Sequence, residues 1–258
     1  MTGTARRVLA LTRAEGLLLR RDTVAMLSVV GVPVVGALVL VAVGGDGEAA
    51  ARGISVLVGV LLLFVVYYNL LTAYVARREE LVLTRLRTGE AGDGEILTAT
   101  ALPAVLTALV QVVLLVAVAA AFLDLPVPAN VPLLLVAVVL GGVVFTALAL
   151  LTAPFTRSTV STQLTSLPVM SVCIIGAGIF VPLELLPDAV AEVGRYLPLT
   201  PVLELVQLGW LGTTEPGGAA GDLLATTREA LVPLAVAAAW GVLGVVAARH
   251  LFRWEPRG

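Results

Sequence analysis

The apolar stretches of this sequence contain few side chains that could bind or react with anything. Tyr67, Tyr68 and Asn69 follow one another eight to ten residues before Arg77. In a helix this spacing places them about 12–15 Å from that charge. Gln111 stands alone in a later apolar stretch. Such groups either hydrogen-bond between helices of one chain or line a polar path across a membrane, and both interpretations remain open.

The residue types that are missing exclude several kinds of site. The chain has no lysine, and a P-loop needs a lysine to reach the β- and γ-phosphates of ATP. His250 and Cys173 are the only histidine and the only cysteine, which excludes an internal disulfide or a multi-cysteine metal site. No HExxH or Gly-x-Ser-x-Gly motif occurs. We therefore expect this chain to have no catalytic activity and no cofactor or metal of its own.

The composition is typical of an integral membrane protein with an all-α fold. Of its 258 residues, 59% are hydrophobic and only 13% are charged, against about a quarter in soluble proteins. The net charge of −2 and the scattered arginines give no surface for nucleic acid. Six stretches provide the roughly 20 uncharged residues that a spanning helix needs. The predicted spans are 23–43, 53–75, 100–122, 133–153, 163–182 and 230–248 of one transmembrane domain, residues 1–258.

None of the six predicted spans contains aspartate, glutamate, lysine, arginine or histidine. A carrier coupled to protons or sodium usually keeps one inside the membrane despite the cost of burying it. The sequence therefore disfavours a self-sufficient secondary carrier or channel. That function and a non-transporting membrane assembly factor remain the alternatives to a subunit driven from outside the chain.

The arginines predict the orientation of the chain in the membrane. With the N-terminus inside, 13 of the 16 arginines lie on the cytoplasmic side, and only Arg52, Arg195 and Arg228 lie outside. Positive residues concentrate in cytoplasmic loops. We expect both termini to be cytoplasmic, in a bacterial plasma membrane.

Three segments outside the spans have helical patterns. Residues 4–21 predict an interfacial helix with an arginine face and with Glu15 on the opposite, otherwise apolar, face. Residues 77–92 predict a charged cytoplasmic helix. Residues 183–212 predict two short amphipathic helices at the outer surface, with Thr200 as the N-cap of the second.

The order of these elements resembles that of the type-2 ATP-binding cassette exporter permeases, the ABC-2 transporter family. The resemblance covers essentially the whole chain: an interfacial helix, six spans, a charged loop after the second span and a proline-bearing pair of outer helices. Its sequence motifs are REELVLTRLRTGE in that loop, LLP and then LPLTP in the outer segment, and the terminal RHLFRWEPRG.

The resemblance implies a division of labour between subunits. A separate ATPase would hold the ATP and Mg, and a second permease, identical or paralogous, would complete the unit in the lipid bilayer. Segment 77–92 would be the coupling helix that docks into the ATPase, and Glu15 would pair with one of its arginines. The coupling contacts would be Arg78, Glu79, Leu83 and Leu86. Since no large extracellular domain is present, we expect small amphipathic or hydrophobic cargo, such as a drug or antibiotic in multidrug efflux.

Overall fold

The computed structural model describes residues 23–79, 93–180, 185 and 187–250, and this part of the chain is helical with no β-strand. The predicted all-α class is therefore confirmed. The predicted interfacial helix at 4–21 and most of the coupling segment, residues 80–92, lie outside the described residues.

The helices follow the apolar stretches of the sequence. In chain order they are α1 Thr23–Val43, α2 Gly47–Glu79, α3 Asp93–Phe122, α4 Val131–Thr152, α5 Thr162–Gly176, α6 Asp188–Arg195, α7 Thr200–Leu211, α8 Leu223–Glu229 and α9 Leu231–His250. A helix thus occupies each stretch that was predicted to span. Two short helices, α6 and α7, occupy the segment predicted to form the outer pair.

Helix length and composition support fewer spans than the sequence pattern predicts. In the described part of the chain, α2, α3 and α4 are long and apolar enough to cross a membrane, and α8 with α9 forms a bent fourth candidate with an angle of 43°. Two further apolar helical stretches are shorter: Val29–Val43, which is part of α1, and Thr162–Gly176, which is α5. Three or four spans are therefore supported, and the count of six stays a prediction.

Side-chain caps fix where several helices begin. The carboxylate of Asp46 accepts the Ala49 N–H at 2.8 Å, and the amide oxygen of Asn130 accepts the Leu133 N–H at 3.0 Å. Both bonds satisfy donors that the first turn of a helix leaves without a partner. At the C-terminal end of α7, Gly212 adopts a φ of 73°, the left-handed conformation that commonly terminates helices.

The prediction that Thr200 caps α7 is wrong. Leu199 occupies the cap position and makes no side-chain cap bond. The Thr200 hydroxyl instead faces the carbonyl oxygens of Gly194, at 2.7 Å, and Gly176, at 3.3 Å. It serves as a donor because these two carbonyls end α6 and α5, and helix C-termini need donors.

Small residues allow the central helices to pack closely. A Cβ atom on Gly141 would lie 2.7 Å from Leu62 Cδ1, so α4 and α2 approach closely there, and a larger residue would require the Leu62 side chain to shift. On the next helix contact, a Cβ on Gly244 would lie 2.1 Å from Ala147 Cβ. Close approach at small residues is the usual way in which membrane helices associate. The core therefore lies around α4, between α2, α7 and α9.

Candidate functional site

A π-helical segment interrupts α2 at the polar residues that were predicted to line a transport path. Leu62–Tyr68 has the wider turn, and the N–H of Asn69 bonds to the carbonyl of Phe64, five residues earlier. Such segments rotate the following side chains about the helix axis and occur often at functional sites. The three consecutive residues Tyr67, Tyr68 and Asn69 differ in their exposure: Tyr67 is buried, Tyr68 is half-buried and Asn69 is exposed.

Tyr67 points into the core of the chain. It is 0% exposed, and its hydroxyl has no hydrogen-bond partner among the described residues. The hydroxyl of the neighbouring residue Thr152 donates to the carbonyl of Leu148 at 2.8 Å rather than to Tyr67. This burial favours the packing interpretation of Tyr67. A role in a transport path stays a prediction for this residue.

Asn69 has the opposite placement. It is exposed on the surface of the chain, close to Phe64, which is 48% exposed, and Tyr68, which is half-buried. A side-chain amide that faces lipid has no hydrogen-bond partner, which costs several kcal/mol. Asn69 is therefore better suited to face water or another chain than hydrocarbon. Of the four predicted path residues, Asn69 has the most suitable position to line a path. Tyr68 is half-buried, and Tyr67 and Gln111 are buried, with Gln111 only 2% exposed.

Arg78 lies at the end of α2 and reaches into the chain. It is 2% exposed, and its guanidinium donates to the carbonyls of Ala153 at 3.1 Å, Thr156, and Arg157 at 3.4 Å. These carbonyls follow the C-terminus of α4, where a positive charge is favourable and donors are needed. Arg78 thus joins α2 to the end of α4. This contact within the chain was not expected from the sequence.

The residues on either side of Arg78 extend the same junction. Arg77 Nη1 donates to Thr100 Oγ1 of α3 at 2.5 Å, and Glu79 Oε2 accepts the backbone N–H of Thr159 at 3.1 Å. The end of α2 is therefore bonded to α3 and to the segment after α4. We call residues 77–79, with their partners on α3 and in 153–159, the α2 junction. Of the predicted coupling residues, Leu83, Leu86 and Glu15 lie outside the described residues.

The opposite end of α2 is tied to the loop after α7. Arg52 Nη1 and Nη2 donate to the carbonyls of Thr214 at 2.9 Å and Glu215 at 2.6 Å. Glu48 binds Arg52 at 3.0 Å and accepts the N–H of Gly217 at 2.9 Å. The sequence used Arg52 only to predict orientation. Its spacing of four residues from Glu48 could have indicated the ion pair, but nothing in the sequence indicated the contact with the distant loop.

The described residues contain no group of three or more histidine, cysteine, aspartate or glutamate side chains that could hold a metal ion. A family model described as "ABC-2 family transporter protein" matches residues 38–248. The match begins within α1, ends near the end of α9 and includes both the α2 junction and the outer helix pair. A comparison with curated protein sequences found no match.

Proposed function

Since the chain belongs to the ABC-2 family of transporter proteins, we propose that it is the permease subunit of an exporter driven by a separate ATPase subunit. The observation that carries this proposal is the family match over residues 38–248. The absence of lysine from the chain adds support, because the ATP and Mg must then be held elsewhere. The cargo is a small amphipathic or hydrophobic compound.

The transport path lies against the face of α2 that points away from the core of this chain. Asn69 and Phe64 supply an amide and an aromatic ring on that face, and both are exposed in the isolated chain. A second permease subunit closes the path from the other side. This arrangement gives the Asn69 amide an aqueous or polar neighbour and removes the cost of exposing it to lipid.

Coupling to the ATPase runs through the α2 junction. The segment at 80–92 docks into the ATPase, and residues 77–79 transmit its movement to α3 and to the end of α4. Arg77, Arg78 and Glu79 support this role because they bond to three separate parts of the cytoplasmic end. ATP-driven movement of the ATPase can perform work on this chain only through contacts that differ between the two states of the ATPase.

Reconstitution tests this function directly. The chain, purified with its ATPase, would be placed in vesicles and supplied with labelled amphipathic cargo, with and without ATP. We expect accumulation that requires ATP, the ATPase and this chain together. Vesicles that contain the ATPase without this chain provide the control. Accumulation driven by an ion gradient in the absence of ATP would contradict the proposal and favour a self-sufficient carrier.

A further inference from the structure

The turn between α6 and α7 lies deep inside the apolar part of the molecule. The indole N–H of Trp240 donates to the carbonyl of Tyr196 in this turn at 2.9 Å, and Trp240 stands at the middle of α9. On the other side, a Cβ atom on Gly141 would lie 3.0 Å from Val202 Cγ1 at the start of α7, and Gly141 stands at the middle of α4. At 1.5 Å per residue, both contacts place the turn about 15 Å from the ends of these two helices. The turn therefore lies near the middle of the bilayer that α4 and α9 are expected to cross.

From this depth α7 runs outward to the end of the molecule that carries Arg52. The indole N–H of Trp210 donates to the carbonyl of Pro126 at 3.0 Å, and the backbone N–H of Asn130 donates to the carbonyl of Gly209 at 2.8 Å. Pro126 and Asn130 belong to the loop between α3 and α4, which the predicted orientation places outside the cell. The helix pair that was predicted to lie at the outer surface thus reaches about halfway into the membrane.

Two charged side chains accompany this turn into the membrane. Arg195 immediately precedes Tyr196 and is exposed, and Glu204 lies one helical turn after the start of α7 and is half-buried. A charged group at the centre of a bilayer is costly unless it faces the interior of a helix bundle or a water-filled cavity. Neither side chain is therefore suited to face hydrocarbon, and both need polar surroundings that extend to this depth.

A cleft of about 1000 Å³ beside these two residues provides such surroundings. It lies between α6, α7, α9 and the loop after α7, and it extends from that loop to Tyr196 at the level of the turn. Polar side chains line it over this length: Arg195, Thr200, Glu204, Gln207, Thr213 and Thr214. A cavity of more than about 15 Å³ holds a water molecule where about two to four polar partners are available. The volume and the lining of the cleft are therefore those of a water-filled space.

The cleft is closed at its inner end by close packing. Thr200 is only 3% exposed, and its hydroxyl donates to the carbonyls of Gly194 and Gly176. Beside it, Leu199 and Val202 are both 0% exposed. The packed turn between α6 and α7 therefore separates the cleft from the cytoplasmic half of the molecule.

We infer that the cleft is a water-filled vestibule that opens to the outside and carries water and small hydrophilic solutes to the middle of the bilayer within one chain. It hydrates Arg195 and Glu204, whose charges would be costly at that depth without water. The vestibule lies on α6, α7 and α9, whereas the proposed cargo path lies against α2. The inference therefore goes beyond the proposed function, and it holds whether or not an ATPase drives the chain.

The test measures how fast an impermeant cationic methanethiosulfonate modifies single cysteines in intact cells that express the chain. Cys173 is buried and is first replaced by alanine. Val236 lines the cleft from α9, whereas its neighbour Ala235 is exposed and does not line it, so the two positions share a depth but differ in their surroundings. We expect Val236→Cys to react at least about tenfold faster than Ala235→Cys, because the thiolate that reacts forms readily only in water. Gln207→Cys, which lines the cleft from α7, should also react faster than Ala235→Cys.

Denaturation in dodecyl sulfate should make all three thiols react at the same rate, which shows that each variant carries its cysteine. Equal rates for Val236→Cys and Ala235→Cys in intact cells would overturn the inference, because the cleft would then hold no water at that depth. Reaction of Val236→Cys and Gln207→Cys only after permeabilisation would also overturn it, because the cleft would not open to the outside. Rapid modification without ATP-driven transport would contradict only the proposed function, whereas ATP-driven transport with unreactive cleft cysteines would contradict only the vestibule.

Discussion

Arg78 illustrates how a single charge can stabilise a membrane protein from within. Its guanidinium satisfies carbonyls beyond the end of α4, and a buried carbonyl that loses its donor costs about 1–3 kcal/mol. We therefore expect Arg78→Ala to lower the free energy of unfolding by about 2–3 kcal/mol. Arg78→Lys keeps a positive donor group but cannot reach several carbonyls at once. Its free energy of unfolding should therefore fall by less than that of Arg78→Ala. Thermal unfolding in detergent measures both.

Arg157→Ala is the control for this prediction. The Arg157 side chain is exposed, and its contribution to the junction is a backbone carbonyl that alanine retains. Its free energy of unfolding should stay within about 0.5 kcal/mol of the original chain. An equal loss for the Arg78 and Arg157 variants would show that the hydrogen bonds of Arg78 contribute no specific stability.

Variants of Tyr67 and Asn69, at the end of the π-helical segment, should distinguish a packing role from a transport role. Tyr67→Phe removes a hydroxyl that has no partner in the described part of the chain. Unfolding free energy should therefore stay unchanged or rise by up to about 1 kcal/mol, with the cargo range preserved. Asn69→Leu should keep stability and change which labelled compounds accumulate in vesicles. A changed cargo range in Tyr67→Phe with none in Asn69→Leu would reverse the two assignments.

The sequence identified these residues but could not assign their directions. Tyr67 and Asn69 stand out locally, because polar groups are rare in a span. Which of them faces inward depends on the π-helical segment, and the apolar sequence around it shows no signal for that turn. The contact of Arg78 with the end of α4 was not predicted for a different reason, since its acceptors lie 75 or more residues further along the chain.

Among the helices, the contact between α4 and α9 depends on the absence of a single side chain. A Cβ atom on Gly244 would lie 2.4 Å from Ala147 Cα, a backbone atom that cannot rotate away. We expect Gly244→Ala to destabilise the chain by about 1–3 kcal/mol, the usual cost of overpacking. Gly31→Ala in α1 is the matched control, because nothing lies within 4 Å of its new Cβ.

The Gly31 variant should even gain slightly, since alanine favours a helix over glycine by about 0.8–1.0 kcal/mol. Midpoints of thermal unfolding for the two variants check both expectations. If Gly244→Ala were as stable as Gly31→Ala, α4 and α9 would have to separate easily, and the close packing would have no energetic importance.

Helices were predictable where the signal was local. Each predicted span overlaps a helix, because apolar residues over that length leave the backbone no other way to satisfy its hydrogen bonds in a membrane. Two details were missed. The short helix α8 carries polar and charged residues and so lacked an apolar pattern, although Asp222 caps it. The fifth predicted span extends to residue 182, but α5 ends at Gly176, and Gly178 follows with a φ of 71°.

For the molecule as a whole, the number of membrane crossings depends mainly on α5. This helix has 15 residues, about 22 Å at 1.5 Å per residue, which is short for a hydrocarbon core of about 30 Å. It either crosses with help from flanking residues or enters and leaves on one side. The positions on its two sides must differ in accessibility if it crosses, and must agree if it does not.

Single cysteines decide between these outcomes. Val160 precedes α5 and is 88% exposed, and Pro216 lies in the exposed loop after α7. Cys173 is buried and would first be replaced by alanine, so that only the new thiol reacts. We expect an impermeant maleimide to label Pro216→Cys in intact cells and Val160→Cys only after permeabilisation, since arginines concentrate on the cytoplasmic side. Labelling of both thiols in intact cells would make α5 a re-entrant helix and end the six-span topology, whereas the reverse pattern would keep the crossing and invert the orientation. Ala219→Cys, also exposed after α7, should behave as Pro216→Cys does, which separates true sidedness from poor reactivity at one site.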